Sequence, residues 1–97
     1  MKKYELTAES IVEFDRTLFR IKALVAFGNV EEGELGGFVE KEGNLDQSGD
    51  AWVYGDARVY GNAWVYGDAM VCGNARVYGN AWVYGDARVY GNAWVYG

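Results

Sequence analysis

AWVYGDARVYGNAWVYGDAMVCGNARVYGNAWVYGDARVYGNAWVYG is the sequence of residues 51–97, nearly half of the 97-residue chain. It is one six-residue unit, Ala-Xaa-Val-Tyr-Gly-Asp/Asn, repeated eight times without a gap. Cys72 replaces one tyrosine, and the last unit is cut after Gly97. A unit this short cannot bury an apolar side alone, so each copy must stack on its neighbours. The sequence therefore predicts a solenoid.

Alternation within each unit predicts a short strand followed by a corner. In residues 51–54, a period of two places Ala and Val on one face and Trp and Tyr on the other. The chain then bends, because glycine accepts backbone angles closed to other residues and Asp or Asn tolerates a left-handed conformation. We therefore expect the Ala and Val positions to form a narrow apolar interior. The Trp, Arg and Tyr positions should be at least partly exposed.

The outward positions hold all four tryptophans and seven of the eight tyrosines. Equivalent positions of stacked coils lie roughly 4.8 Å apart, so outward rings should stack on one another along the solenoid. An exposed aromatic surface is also typical of a contact surface, for carbohydrate or for another copy of the chain. The predicted surface aromatic ladder consists of Trp52, Tyr54, Tyr60, Trp64, Tyr66, Tyr78, Trp82, Tyr84 and Tyr90.

The repeat resembles the hexapeptide pattern of left-handed parallel β-helices. Residues 53–58, Val-Tyr-Gly-Asp-Ala-Arg, carry the resemblance through an inward aliphatic residue, a turn residue two positions later and a small inward residue next. In that family three hexads, about 18 residues, form one triangular coil. The alternative is a flatter two-sided coil of about 12 residues, suggested by the alternation of Trp52, Arg58 and Trp64. That alternation breaks within residues 70–76, so the repeating unit is a single hexad.

The segment before the repeats predicts a β-hairpin cap. Residues 11–14 and 17–21 are rich in β-branched and aromatic side chains, and Asp15-Arg16 between them suits a hairpin connection. A solenoid needs such a cap over its first open coil. We therefore predict a single all-β domain with a cap in residues 1–36 and a parallel β-solenoid in residues 37–97. Its first strands are degenerate, with Leu45 in the position of the repeat alanine.

A second resemblance covers the cap as well as the repeats. Residues 33–40, Gly-Glu-Leu-Gly-Gly-Phe-Val-Glu, are followed by Gly-Asn-Leu at 43–45 and preceded by Thr-Leu-Phe-Arg-Ile-Lys-Ala-Leu at 17–24. Together these segments resemble the amino-terminal part of the YdcK-like bacterial hexapeptide-repeat proteins. The resemblance implies a left-handed parallel β-helix with an amino-terminal β cap. It also implies a possible acyltransferase activity, by analogy alone.

The sequence offers no residues for catalysis. Hexapeptide acyltransferases, as the resemblance implies, use a histidine as general base, and this chain has none. The repeat aspartates lie at corners where solvent surrounds them, and asparagine occupies four of the seven corners, which disfavours calcium. We therefore predict no catalytic, cofactor-binding or metal-binding residue, no cofactor, and a structural protein instead of an enzyme. A hexapeptide acyltransferase, or a remnant of one, is the alternative.

Charge and composition restrict the partners and the location. Residues 1–50 hold six basic and eleven acidic residues, whereas residues 51–97 hold three of each. This acidic half argues against nucleic acid, which needs clustered Lys and Arg. No apolar segment after Lys2-Lys3 resembles a signal peptide or a membrane span. A single cysteine permits no internal disulfide, so we predict a cytoplasmic protein.

The carboxyl end predicts self-association. The sequence stops in mid-pattern without a polar or bulky coil, so an apolar interior and unpaired backbone groups should be open there. A contact between two such ends is isologous and closes as a two-fold homodimer. We therefore predict a self-associating scaffold that forms homodimers through residues 80–97, with carbohydrate binding by the aromatic ladder as a further alternative. The predicted contact residues are Ala93, Trp94, Val95 and Tyr96.

Overall fold

The structure, a computed structural model, describes residues 2–97 and is built from short β-strands. Met1, the first residue of the predicted cap, lies outside the described residues. One 3-10 helix, Glu42–Asn44, interrupts the strands, and the described residues contain no α-helix. The strands are β1 (Tyr4–Glu13), β2 (Arg16–Ala23), β3 (Leu35–Val39), β4 (Trp52–Val53), β5 (Arg58–Val59), β6 (Trp64–Val65), β7 (Met70–Val71), β8 (Arg76–Tyr78), β9 (Trp82–Val83), β10 (Arg88–Val89) and β11 (Trp94–Tyr96).

Residues 51–97 form a three-sided solenoid in which strands 18 residues apart pair in parallel. Met70 pairs with Trp52 on one side and with Arg88 on the other. The second face contains the order β5-β8-β11, and the third contains β6 and β9. Three hexads therefore complete one coil, which confirms the predicted solenoid of 18-residue coils. The alternative coil of about 12 residues is wrong, because within residues 51–97 no strand pairs with the strand two hexads away.

The interior of the solenoid consists of the alanine and valine positions of the repeat. Every one of these positions from Ala51 to Val83 is buried. They belong to one apolar cluster that also contains Leu45 and cap residues such as Tyr4 and Ile21. Alanine alternating with β-branched valine fills the narrow space between three short strands. The predicted register of inward and outward residues is confirmed for the interior.

The glycine of each repeat makes the corner. Its φ angle is positive in every complete hexad, from 59° at Gly55 to 71° at Gly67. Among residues 2–97, the only residues with positive φ apart from glycines are Phe14 and Asp15 in the cap hairpin. The Asp or Asn that follows each glycine therefore does not adopt the left-handed conformation expected from the sequence. Glycine takes that conformation alone because it has no Cβ to clash with the following carbonyl.

The cap hairpin continues one face of the solenoid. β1 and β2 pair antiparallel, and the turn between them is Phe14-Asp15, one residue earlier than predicted. β2 then pairs antiparallel with β3, and β3 pairs in parallel with β5. The resulting six-stranded sheet has the order β1-β2-β3-β5-β8-β11. The cap and the repeats thus share one hydrogen-bonded sheet.

The first coil is longer than the others. Leu45 pairs with Val65, 20 residues later, whereas Gly49 lies against Gly67, 18 residues later. Leu45 therefore occupies the valine position of the repeat, and its predicted alanine position is wrong. The buried Asn44 side chain accepts hydrogen bonds from the N–H groups of Glu40 and Lys41 at 3.0 Å. These bonds replace the glycine corner, so the six-residue spacing of glycines in this segment does not reflect the register.

Candidate interaction surfaces

Outward tyrosines stack in columns along the solenoid. Tyr60, Tyr78 and Tyr96 have ring centroids 5.3 and 5.2 Å apart, with interplanar angles of 6° and 17°. Tyr66 and Tyr84 form a second stack at 5.2 Å and 13°. The spacing follows from the distance between paired strands, so each ring lies over its equivalent in the next coil. The predicted stacking of outward tyrosines is confirmed for these columns.

Tryptophans add a second kind of contact on the third face. The ring of Trp64 stacks on that of Tyr66 at 3.9 Å, and it meets the ring of Trp82 edge-on at 5.6 Å and 85°. Aromatic pairs favour both offset stacking and edge-to-face arrangements. Trp64 and Tyr66 are therefore partly covered by other aromatic rings, whereas Trp82 stays exposed.

Two members of the predicted surface aromatic ladder are not on the surface. Trp52 is fully buried, because Tyr4 and Phe27 of the cap approach its ring edge-on at 6.1 and 5.3 Å. Within the described residues its Nε1 atom has no hydrogen-bond partner. Tyr60 is only 5% exposed, since it packs in a small cluster with Leu18 and Phe38. The other seven members are partly or fully exposed, as predicted.

Exposure of the interior positions increases toward the end of the repeats. We call residues 80–97 the open coil. In it Ala87 and Ala93 are exposed, whereas the alanines of the preceding hexads are buried. Of the predicted contact residues, Ala93, Trp94 and Tyr96 are exposed and Val95 is half-buried. The open coil therefore presents interior and outward positions of the repeat together.

Backbone hydrogen bonds join each coil to the next in a parallel ladder. The N–H groups of Trp64, Met70 and Arg76 donate to the carbonyls of Ala81, Ala87 and Ala93 at 2.9 to 3.0 Å. The equivalent donors in the open coil are the N–H groups of residues 82, 88 and 94. Within residues 2–97, no further coil lies beside them to accept these hydrogen bonds. The open coil therefore presents a strand edge.

A family model identifies this repeat. The model described as the YdcK β-solenoid repeat matches residues 51–67, 69–85 and 81–97. This is a YdcK-like β-solenoid protein. No curated protein matches the chain. The matched ranges lie in the hexads, so the family is established by the repeats and not by the cap.

The YdcK-like protein closes its other end with a buried lysine. Lys3 Nζ donates hydrogen bonds to the carbonyl oxygens of Ala51, Gly49 and Ser48 at 2.8, 3.2 and 3.5 Å. It also lies 4.7 Å from the centroid of the Phe27 ring. Burial lowers the pKa of Lys3 to about 8, although Asp46 and Asp50 act in the opposite direction. Lys3 therefore satisfies carbonyl groups of the first coil.

A cleft of about 510 Å³ lies on the face formed by β4, β7 and β10. Sequence reasoning missed it, although it centres on Cys72, the one departure from tyrosine in the repeats. The thiol of Cys72 is half-buried and donates a long hydrogen bond of 3.6 Å to the carbonyl of Val89. The cleft is lined by Asn29, Tyr54, Met70, Cys72, Arg88 and Tyr90.

Residues 2–97 contain no group of three or more Cys, Asp and Glu side chains that could hold a metal ion. None of the helical structure in the described part of the chain has the length and apolar character of a membrane span.

Proposed function

We propose that the YdcK-like protein is a non-catalytic scaffold that joins a second copy of itself through the open coil. The observation that carries this proposal is the exposure of Ala87 and Ala93. Both occupy positions whose equivalents in preceding coils are part of the apolar interior. Covering them with another coil would remove apolar surface from water, which is the main driving force of protein association.

The strand edge supports the same contact. The N–H groups of residues 82, 88 and 94 lie at this end, and each can donate to a carbonyl of another chain. Pairing of exposed edges is a common route to association of β-proteins. Two copies that meet by the same surface close around a two-fold axis, which limits the assembly to a dimer.

The opposite end favours a dimer over a fibre. The cap hairpin covers Trp52 there, and Lys3 satisfies carbonyls of the first coil. The acidic residues of the first 50 positions outnumber the basic ones by eleven to six, so two cap ends repel each other. Contact between two open coils covers the exposed interior alanines of both chains, whereas contact between an open coil and a cap covers those of one chain only.

Absence of a general base supports a scaffold over an acyltransferase. The chain has no histidine, and hexapeptide acyltransferases use one, as the family resemblance implies. An acyltransferase, or a remnant of one, is tested by titrating the protein with acetyl-coenzyme A. Saturable binding together with turnover of an acyl acceptor would show that the protein is an enzyme and would exclude the non-catalytic scaffold.

Light scattering at increasing protein concentration tests the dimer. We expect the mass of two chains for the unmodified protein and of one chain for Ala93→Asp, because a carboxylate in the apolar contact would lose its hydration. Ala8→Asp is the matched control, since Ala8 is an exposed alanine of the cap strand β1. It should remain dimeric. A single-chain mass at all concentrations, or a trimer joined along the sides of the prism, would exclude this proposal.

A further inference from the structure

The tyrosine column at positions 54, 72 and 90 lacks its middle ring. Tyr54 N donates to the carbonyl of Val71 at 2.7 Å, and Cys72 N donates to the carbonyl of Val89 at 2.8 Å. These bonds place the three positions in register, one in each of three successive coils. In the other columns this register brings tyrosine rings into contact. Here a cysteine stands where a ring would fill the space.

The missing ring leaves room for one planar group. Neighbouring tyrosines in the complete columns are 5.2 to 5.3 Å apart. Tyr54 and Tyr90 are separated by two coils, roughly 10 Å along the solenoid. A single aromatic ring between them would have a stacking distance on each side like that in the complete columns. The cleft of about 510 Å³ has the volume of a small-molecule site.

One wall of the cleft carries an uncompensated positive charge. Arg58 and Arg76 both pair with Glu13, and the two arginines of β2 pair with Glu9, Glu40 or Asp56. Arg88 is exposed, and among residues 2–97 it is the arginine that forms no ion pair with a carboxylate. Guanidinium groups bind carboxylates and phosphates through two parallel hydrogen bonds. The cleft therefore combines apolar stacking surfaces with one anion-binding group.

We propose that this cleft binds a small planar aromatic compound that carries an anionic substituent. Its ring lies between Tyr54 and Tyr90, over Cys72, and completes the interrupted tyrosine column. Met70 contacts the edge of the ring, where sulfur interacts favourably with aromatic groups. The anionic substituent lies at Arg88. The ligand class follows from the shape of the gap and from the free guanidinium.

The probe is 2-naphthoate, titrated into the full chain and followed by its fluorescence and by calorimetry. We expect saturable binding at one site per chain. Cys72→Tyr restores the repeat and fills the gap, so it should abolish binding and raise the melting temperature. Cys72→Ser keeps the gap and should bind as the unmodified protein does. Together the two variants show whether binding depends on the shape of the gap or on the thiol of Cys72.

The anionic substituent is tested with the uncharged amide of the same probe and with Arg88→Gln. A charge-assisted hydrogen bond supports roughly a tenfold difference in affinity, so each change should weaken binding by about that factor. Bound 2-naphthoate should also protect Cys72 from alkylation by iodoacetamide. Equal binding to Cys72→Tyr, loss of binding in Cys72→Ser, or equal affinity for the acid and the amide would overturn the proposal.

Discussion

The carboxylate of Glu13 accepts two hydrogen bonds from the guanidinium of Arg76, 2.9 Å from Nε and 3.0 Å from Nη2. The same carboxylate lies 3.2 Å from Nη1 of Arg58, in the preceding coil. The hydrogen bonds to Glu13 raise the pKa of Arg76, so its charge persists at all ordinary pH values. One residue at the end of β1 thus fixes the cap hairpin to two successive coils.

Glu13→Gln should therefore destabilise the protein and loosen the hairpin. Loss of charge-assisted hydrogen bonds from partly shielded side chains costs about 1–2 kcal/mol. Glu5→Gln is the matched control, since Glu5 is an exposed glutamate of the same strand, and we expect less than about 0.5 kcal/mol from it. Urea denaturation measures both. Equal losses of stability in the two variants would mean that the contact between Glu13 and the arginines does not stabilise the folded protein.

Trp52→Ser and Trp82→Ser should differ strongly although both residues occupy the sequence AWVYGD. Trp52 is fully buried beneath Tyr4 and Phe27, whereas Trp82 is 60% exposed. Truncation of a buried tryptophan costs about 3–5 kcal/mol, and an exposed substitution costs about 0.5 kcal/mol or less. Thermal and urea unfolding of the two variants provide the comparison. Similar losses of stability would show that the cap does not cover Trp52 in solution.

Gly67→Ala should destabilise the protein more than Gly85→Ala. Both glycines have positive φ, 71° and 64°, so alanine is strained at either position. A Cβ atom at Gly67 would also lie 3.0 Å from the backbone nitrogen of Gly85, whereas one at Gly85 meets nothing within 4 Å. The φ strain costs about 1–2 kcal/mol in both variants, and the contact between coils adds to it only at Gly67. Melting temperatures in the opposite order would contradict this account.

Stability should depend on the ionisation of Lys3. Its pKa is about 8 in the folded protein, below the ordinary value of 10.5, because burial disfavours the ammonium form. Above about pH 8 the unfolded chain therefore binds more protons than the folded one, and the free energy of unfolding rises with pH. This contribution is absent below about pH 8, where both states are protonated.

Urea denaturation of the unmodified protein and of Lys3→Met between about pH 7 and pH 9.5 isolates this contribution. Tyrosine ionisation interferes at higher pH, because burial raises the pKa of Tyr4, Tyr54 and Tyr60 in the folded state. We expect the difference in free energy between the two proteins to grow with pH in favour of the unmodified chain. A difference in free energy that stays constant with pH would show that the Lys3 ammonium group is hydrated in the folded protein.

The repeat determined what could be predicted from the sequence. The burial of Val65 and the exposure of Tyr84 follow from alternation within each hexad, and the structure agrees. The burial of Trp52 could not be predicted in this way, because Trp52 and Trp82 have the same neighbours in sequence. What distinguishes them is the cap, which covers one and not the other. A repeating sequence pattern cannot predict a tertiary contact that only one copy of the repeat makes.

The interaction surfaces were predicted unevenly for a similar reason. Stacking of Tyr66 on Tyr84 follows from the coil length, so the sequence predicts it once that length is known. The cleft at Cys72 depends on an exception to the repeat. The gap becomes evident only when the fold places Tyr54 and Tyr90 on either side of Cys72. The predicted register of Leu45 is wrong because the glycines around it keep the six-residue spacing, whereas two additional residues interrupt the 18-residue spacing of the coils.

The longer first coil has a consequence for how such a chain can change over generations. Identical hexads are interchangeable, so gain or loss of three of them adds or removes one coil and leaves every remaining side chain on its own face. Gain or loss of one hexad before residue 76 instead turns all later residues by one side of the prism, which would remove Arg76 from Glu13. The two additional residues between Leu45 and Gly49 cannot be copied in this way. They set the register of all the hexads that follow, so the gain or loss of whole coils takes place beyond them.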